Sequence, residues 1–142
     1  MNPYGKVPTF AINLAFACLL VGGCAEKPCK VERFGSVVGV KKEQIDEYKR
    51  LHADAWPGVL KMIRQCNIRN YTIYLTEIEK DKYYLFSHFE YVGDDFEKDM
   101  EKMKADPTTQ QWWKHTDPCQ SPVPIRKKGE HWKRMEEVFY TP

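Results

Sequence analysis

The residues best suited to chemistry are a tyrosine, a histidine and a tryptophan at four-residue intervals, Tyr48, His52 and Trp56. Residues four apart lie on one face of a helix, so a helix over this stretch places a phenol, an imidazole and an indole in one row. Each ring carries a polar group that needs a hydrogen-bond partner when it is buried. The spacing therefore predicts either a polar network inside a core or a pocket for a small polar ligand.

Further aromatic residues with polar groups follow along the chain. Tyr71 lies in a β-rich stretch, and Trp112 and Trp113 are adjacent in a short helical stretch. Aromatic rings pack against the apolar faces of sugars while hydroxyl and N–H groups bind sugar hydroxyls, in pockets that are mostly apolar. A histidine with an ordinary pKa of about 6.5 exchanges protons near neutral pH. His52 is therefore a candidate for general acid–base catalysis without a cofactor, and a satisfied core histidine is the alternative.

Several other kinds of site are not indicated. The sequence contains no glycine-rich phosphate loop and no Ser-His-Asp pattern. Its histidines fall on four different predicted elements, without the spacing of a metal site: His52, His88, His115 and His131. The net charge is only +2, and basic residues alternate with acidic ones, so the basic surface of a nucleic-acid-binding protein is missing. We expect neither a metal nor a nucleic-acid partner.

Periodicity and turn residues predict the elements that position these side chains. We expect strands over 33–40, 70–76, 83–91 and 133–140, and helices over 41–55, 59–66, 94–104 and 108–116. Residues 117–129 include three prolines and are expected to form a loop. The order strand, helix, strand, strand, helix, strand is typical of the α+β class, as a ferredoxin-like βαββαβ sandwich of the dimeric α+β barrel type. Such a sheet carries helices on one face only, so we expect a homodimer that covers the other.

Helix ends can be predicted from prolines and aspartates. Pro57 should end or kink the first helix near Trp56 and begin the next one. Trp56 is then a packing residue that holds His52 in position. Asp94 and Asp106 are expected to cap the two later helices.

The N-terminal residues predict an export signal over 1–23. An apolar run over 10–21 is too short to span a bilayer comfortably and is typical of a signal-peptide core. Small residues directly before Cys24 resemble the segment cleaved from bacterial lipoproteins. We expect lipidation of Cys24, a tether over 24–30, a domain over 31–142 and a periplasmic or outer-surface location, with the lipid as the only attachment to a membrane. A secreted protein and an uncleaved anchor are the alternatives.

With Cys18 in the predicted signal and Cys24 lipidated, three cysteines remain, namely Cys29, Cys66 and Cys119. An odd number at wide spacing forms neither a disulfide framework nor a zinc motif. Whether two of them pair is left open by the sequence.

Four motifs, in this order, resemble the L-rhamnose mutarotase family: Tyr48-x3-His52-x3-Trp56-Pro57, Asn70-Tyr71-x-Ile73-Tyr74-Leu75, Trp112-Trp113-Lys114 and Glu137-Val138-Phe139-Tyr140-x-Pro142. The similarity extends from near residue 31 to the C-terminus at nearly the family's spacing. One such motif alone is weak, but four in order make the resemblance strong.

The resemblance implies a dimeric ferredoxin-like fold and an enzyme that interconverts the α and β anomers of a sugar without a cofactor. It places His52 as the proton donor, and the residues that bind the sugar are Tyr48, Tyr71, Trp112 and Trp113. We therefore expect a mutarotase of L-rhamnose or a related 6-deoxy sugar that works by general acid–base catalysis, with His52 serving the ring oxygen.

Other functions stay open at the level of sequence. A non-catalytic sugar-binding lipoprotein would keep the aromatic pocket and bind rhamnose without accelerating anomer exchange. A cofactor-free oxygenase uses the same kind of dimeric scaffold, but the polar, tyrosine-rich motif argues against the large apolar pocket that it needs. The sequence also departs from the family in its N-terminal segment and in a longer stretch over 118–132. Fold alone decides none of these questions.

Overall fold

A computed structural model describes residues 30–142. The predicted signal and the potential lipidation site, Cys24, lie outside these residues, as does Cys29. The elements are β1 (Glu32–Val40), α1 (Ile45–Ala53), α2 (Pro57–Gln65), β2 (Ile68–Glu79), β3 (Lys82–Tyr91), α3 (Phe96–Ala105), α4 (Pro107–Thr116), β4 (Gln120–Ser121) and β5 (Lys133–Met135). None of these helices is long and apolar enough to cross a membrane.

The strands form one antiparallel sheet in the order β2-β3-β1-β4, and β5 also pairs with β1. Side chains alternate between the two faces of a strand. Val38 of β1, Leu85 of β3 and Ile73 of β2 lie on the face that the helices cover. This arrangement confirms the predicted α+β class and its ferredoxin-like order, with the helices on one face of the sheet.

The core between the sheet and the helices contains aliphatic residues and two of the aromatic residues that could bind a ligand, Tyr48 and Trp112. Its buried members are Val38, Val40, Tyr48, Leu51, Val59, Leu85, Trp112 and Cys119. Cys119 and Cys66 are both buried and form no disulfide. Because Tyr48 and Trp112 belong to this cluster, the residues that could bind a ligand are held by the same packing that stabilises the fold.

The break between α1 and α2 lies where Pro57 predicts it. The first helix ends at Ala53, Trp56 adopts an extended conformation with φ −60° and ψ 132°, and Pro57 is the first residue of α2. Proline fits the first turn of a helix because its missing N–H would have no partner there. The chain turns sharply here and leaves His52 in the last turn of α1.

The two later helices begin at aspartates, as predicted, but one of the two positions is different. Asp106 caps α4 by accepting a hydrogen bond from the Thr109 backbone N–H at 2.7 Å. The cap of α3 is Asp95 rather than Asp94, and it accepts from the backbone N–H of Lys98 at 3.1 Å. Asp95 is the residue whose extended backbone directly precedes the helix, which is the geometry that a cap requires.

The last strand is shorter than predicted. Only Lys133–Met135 pair with β1, whereas the prediction extended to residue 140. Past Met135 the chain leaves the sheet, and the Tyr140 ring stacks on the guanidinium of Arg33 at 3.3 Å. Val138 and Phe139 are 87% and 79% exposed, so this segment does not pack against the rest of the domain as a strand would.

The predicted loop over 117–129 begins with ordered structure. Its first part is a 3-10 turn over Asp117–Cys119, followed by β4, whose Gln120 and Ser121 pair with Val40 and Gly39 of β1. Gly39 permits this pairing because a Cβ at that position would lie 2.5 Å from the carbonyl oxygen of Ser121. A glycine in β1 thus lets the segment after α4 approach the sheet.

Gly39→Ala should therefore lower the free energy of unfolding by about 1–3 kcal/mol, the usual cost of forcing an extra methyl into a packed region. Gly35→Ala is the matched control in the same strand, because the nearest atom to its Cβ would be the end of the flexible Met135 side chain, at 3.0 Å, and its other neighbours would lie at ordinary contact distance. Urea unfolding followed by tryptophan fluorescence measures both. Equal stabilities for the two variants would contradict this account of the β1–β4 contact.

Candidate active site

A cavity of about 810 Å³ lies between the sheet and the helices. Five residues that the sequence singled out line it together: Tyr48, His52, Tyr71, Trp112 and Trp113. They come from α1, β2 and α4, so three separate parts of the chain meet at one site. His88 and His115 do not line this cavity, and His131 does.

His52 is half-buried at the end of α1. Its Nδ1 lies 2.9 Å from the backbone carbonyl oxygen of Tyr48. A carbonyl oxygen can only accept, so Nδ1 carries the proton and donates it, and in the neutral ring Nε2 keeps a lone pair. Burial lowers the pKa of His52, and the hydrogen bond to the Tyr48 carbonyl opposes that shift without cancelling it. The imidazole is therefore neutral at pH 7.

Aromatic rings fix the orientation of the His52 ring. The Tyr48 ring stacks on it with centroids 4.1 Å apart, and the Trp112 ring meets it edge-on at 5.4 Å. Trp56 does not line the cavity but packs edge-on against Trp112 at 5.5 Å. Its contact with His52 is thus indirect, through Trp112.

The two tyrosines of the cavity differ in exposure. Tyr48 is 5% exposed, and burial raises the pKa of its phenol strongly. Tyr71 is 43% exposed as a whole residue, but its hydroxyl group is desolvated and its pKa rises to about 12. An irregularity in the β2–β3 pairing, between Arg69 and Thr72, falls at Tyr71, whose ring meets Phe89 edge-on at 5.6 Å. Both phenols stay protonated at neutral pH and can donate hydrogen bonds.

The adjacent tryptophans have different environments. Trp112 is buried in the core, whereas Trp113 is half-buried. Adjacent positions on a helix diverge by about 100°, so one of the pair is normally buried and the other partly exposed. Both nevertheless line the cavity, because they lie in the last two turns of α4.

Sequence reasoning missed the polar part of the cavity wall. Five residues of the segment after α4 line the cavity as well: Asp117, Gln120, Gly129, His131 and Trp132. Burial raises the pKa of the Asp117 carboxyl, and the nearby His131 lowers it in part. The sequence offered one signal, the adjacent His131 and Trp132 in the stretch over 118–132. No periodicity relates these two residues to the helices.

The arrangement suits a small ligand that is apolar on its faces and polar at its edges. Indole and phenol rings supply flat apolar surfaces, and two neutral phenols, an imidazole Nε2 and an amide supply hydrogen bonds. Within residues 30–142, no three side chains of the His, Cys, Asp or Glu types are grouped as metal ligands. His52, with a lone pair on Nε2, is a candidate for proton exchange with a ligand in this cavity.

Sequence comparisons place this domain among known enzymes. The chain is similar to the L-rhamnose mutarotase of Bacillus subtilis, with 31% identity over 116 residues that cover 78% of this chain and 98% of the relative. It is also similar to the L-rhamnose mutarotase of Phocaeicola vulgatus, with 33% identity over 85 residues that cover 56% of this chain and 76% of the relative.

Comparison of folds agrees with this result. An L-rhamnose mutarotase from Formosa agariphila superposes with a TM-score of 0.57 at 23% identity, covering 78% of this chain and 99% of the other. The tetracenomycin F2 cyclase of Streptomyces glaucescens superposes with a TM-score of 0.52 at 14% identity, covering 78% and 95%. At these identities the superpositions establish the fold alone, which is the predicted ferredoxin-like one.

The prediction of an exported lipoprotein is wrong. The Bacillus subtilis enzyme is matched over 98% of its length by only 78% of this chain, so it has no counterpart of a signal segment or a lipidated cysteine. The relatives that identify the domain thus give no support to a lipid anchor at Cys24 or to a periplasmic or outer-surface location.

The family model for L-rhamnose mutarotase matches residues 33–141, which include every residue of the cavity described above. The match covers most of the chain and agrees with the curated relatives and the fold. The chain therefore belongs to the L-rhamnose mutarotase family.

Proposed function

We propose that this protein interconverts the α and β anomers of L-rhamnose or a related 6-deoxy sugar by general acid–base catalysis at His52, without a cofactor. The observation that carries the proposal is the free Nε2 of His52 in a cavity lined by aromatic sugar-binding candidates. Tyr48, Tyr71 and the Trp112–Trp113 pair would bind the sugar. Family membership supports anomer interconversion, and the residue roles are inferred from geometry.

The reaction needs two proton movements. In ring opening, the anomeric hydroxyl loses its proton, the bond between the anomeric carbon and the ring oxygen breaks, and the ring oxygen gains a proton. The open aldehyde then turns about its single bond, and closure on the other face reverses both transfers. The sugar gains and loses no net proton over the whole reaction, so a group that takes a proton in ring opening returns it in ring closure.

The protonation state of His52 decides which of the two proton transfers it performs first. The resemblance assigned it as proton donor to the ring oxygen, but a neutral imidazole whose Nδ1–H is engaged offers only a lone pair on Nε2. We therefore infer that His52 begins as the base on the anomeric hydroxyl and becomes the donor during closure. The raised pKa of Tyr48 makes its phenolate costly, so water supplies the proton for the ring oxygen and Tyr48 donates a hydrogen bond.

Replacing the proposed base should abolish most of the rate. His52→Ala is expected to lower kcat by about 10²-fold or more, the usual contribution of one general acid or base. Saturation-transfer NMR between the two anomeric proton signals measures the rate. His115→Ala, an exposed histidine outside the cavity wall, is the control and should exchange anomers like the wild type. A His52→Ala enzyme as fast as wild type would exclude this mechanism.

A non-catalytic sugar-binding role is the alternative, and it predicts rhamnose binding with no acceleration in any variant.

The rate should also depend on pH in one direction. Burial lowers the pKa of His52 below 6.5, and the working form is the neutral base that predominates above that pKa. The enzymatic rate, after subtraction of the buffer rate, should be highest between pH 7 and 8 and should fall as the pH drops through the lowered pKa of His52. A rate that rises on acidification in this range would instead identify the imidazolium, acting as a general acid, as the working form.

We further propose that a second copy of the chain covers the outer face of the sheet, which carries no helix. Tyr74 of β2 is 63% exposed there and pairs with Phe86 of β3, while Thr76 pairs with Tyr84. An exposed apolar and aromatic face of this kind is typical of an interface between subunits. The exposed Val138 and Phe139 in the C-terminal segment would find partners in the same dimer.

A charge in the middle of that face should separate the subunits. Tyr74→Glu is expected to convert a dimer into a monomer, because an unpaired carboxylate would be buried in the interface. Sedimentation velocity measures the change. Lys61→Glu, on the exposed surface of α2, is the control and should leave the dimer intact. A wild type that is monomeric at micromolar concentration would contradict the proposed interface.

A further inference from the structure

Tyr71 reaches the cavity from a β-bulge in β2. Two residues of β2, Asn70 and Tyr71, lie opposite the single residue Phe89 of β3. An extra residue of this kind bends the strand and changes the direction in which a side chain points. Tyr71 and Phe89 both line the cavity. The bulge therefore places the Tyr71 ring on the face of the sheet that the helices cover.

The bulge also decides which residues of β2 face the helices. Side chains of a regular strand alternate between its two faces, so residues five positions apart, such as Ile68 and Ile73, would lie on opposite faces. Both nevertheless line the cavity. Without the extra residue, one end of β2 would turn its side chains to the other face. Core packing and the placement of Tyr71 thus depend on the same irregularity.

Asn70 holds the bulge through its backbone and its side chain. Its φ of 50° lies in the left-handed region, which asparagine adopts more readily than most residues. Its side-chain Nδ2 donates a hydrogen bond to Oε2 of Glu90 at 2.6 Å. Glu90 is the neighbour of Phe89 on β3, so this bond joins the two strands where their backbone pairing is interrupted.

The Glu90 carboxylate is held in turn by β1. Its second oxygen, Oε1, lies 3.5 Å from Nε of Arg33, and the two side chains are only 23% and 18% exposed. A carboxylate accepts hydrogen bonds through both oxygens, so it can bind the amide and the guanidinium together. One carboxylate therefore links the strands β2, β3 and β1 beside Tyr71.

The ring of Tyr71 packs against a fixed aromatic wall. It meets the Phe89 ring edge-on, with centroids 5.6 Å apart. The Phe89 ring stacks on Phe34 of β1 at 5.0 Å with an interplanar angle of 4°. Because the wall is rigid, the direction of the Tyr71 phenol follows from the backbone of the bulge.

We propose that Asn70 and Glu90 are positioning residues that hold the Tyr71 phenol against the bound sugar by fixing the β-bulge. Neither side chain lines the cavity, and both act through the backbone of β2 without touching a reacting atom. The inference rests on the proposed function in one respect, namely that the cavity binds a sugar through Tyr71.

Reversing the polarity of the asparagine tests this role. Asn70→Asp keeps the size of the side chain and suits the left-handed backbone, but its carboxylate cannot donate to Glu90 and repels it. We expect KM for L-rhamnose to rise roughly fivefold to tenfold, the size of one hydrogen bond to the sugar. The value of kcat should be kept, because His52 lies on a different element.

Exchanging the two groups should restore the contact. In Asn70→Asp combined with Glu90→Gln, the new amide on β3 can donate to the new carboxylate on β2, so the hydrogen bond forms with reversed polarity. KM should return to near the wild-type value. A double variant whose KM is no lower than that of Asn70→Asp alone would overturn the inference.

Asn67→Asp is the matched control. Asn67 also has a left-handed backbone, with φ 57°, and its Nδ2 donates to Oδ2 of Asp99 at 2.8 Å. Its side chain lies neither in the bulge nor in the cavity wall. The change should lower the midpoint of urea unfolding and leave KM unchanged. An equal rise of KM in Asn67→Asp and Asn70→Asp would show a general effect of weakened folding and reject the positioning role.

A double-mutant cycle shows whether Asn70 acts through Tyr71. Tyr71→Ala removes the ring that the bulge positions, so adding Asn70→Asp to it should raise KM no further. Additive effects of the two changes would contradict the proposed positioning.

The same variants distinguish this inference from the proposed function. If the wild type mutarotates rhamnose and the exchanged pair fails to restore KM, the proposed function stands and the positioning role is rejected. If the wild type binds rhamnose without accelerating exchange, catalysis is rejected, and the variants are judged on Kd measured by the fluorescence of the cavity tryptophans. A wild type that neither binds nor turns over rhamnose rejects both.

Discussion

The site depends on one hydrogen bond, from Nδ1–H of His52 to the backbone carbonyl of Tyr48. It spans one helical turn, so it can form only while α1 is intact through Ala53. It also decides which ring nitrogen is protonated and leaves Nε2 available to a ligand. Burial adds the second condition, because it keeps the ring neutral. Position, tautomer and charge of the proposed base are thus consequences of local helix geometry and packing.

The surrounding fold serves to keep that turn of helix in place. Pro57 begins α2 directly after the break, and Trp56 packs against Trp112, whose ring in turn meets His52. Trp112 belongs to the hydrophobic core and also lines the cavity. Since core packing tolerates little change of volume, the same contacts that stabilise the domain keep the cavity preorganised.

Much of this arrangement could be predicted from the sequence because local rules determine it. Helical spacing put Tyr48 and His52 on one face, Pro57 marked the break, and Asp106 marked the start of α4. The polar wall could not be predicted in that way. Gln120 and His131 are 11 positions apart on an aperiodic stretch, and the pairing of β4 with β1 places Gln120 in the wall of the cavity.

Two other predictions failed for physical reasons of a different kind. The final strand is predicted from β-forming residues, but Val138 and Phe139 stay exposed and do not pack against the sheet in one copy of the chain. The lipid anchor is predicted from a short apolar run before Cys24, a segment for which the Bacillus subtilis relative, matched over 98% of its length, has no counterpart.

The central claim is that this cavity accelerates the exchange of sugar anomers. Saturation-transfer NMR of L-rhamnose with catalytic amounts of the wild-type protein, with L-fucose and D-glucose measured in parallel, tests it most directly. The account predicts exchange well above the buffer rate for L-rhamnose or another 6-deoxy sugar, and a weaker effect on D-glucose. Exchange at the buffer rate for all three sugars, with L-rhamnose bound in the cavity, would contradict it.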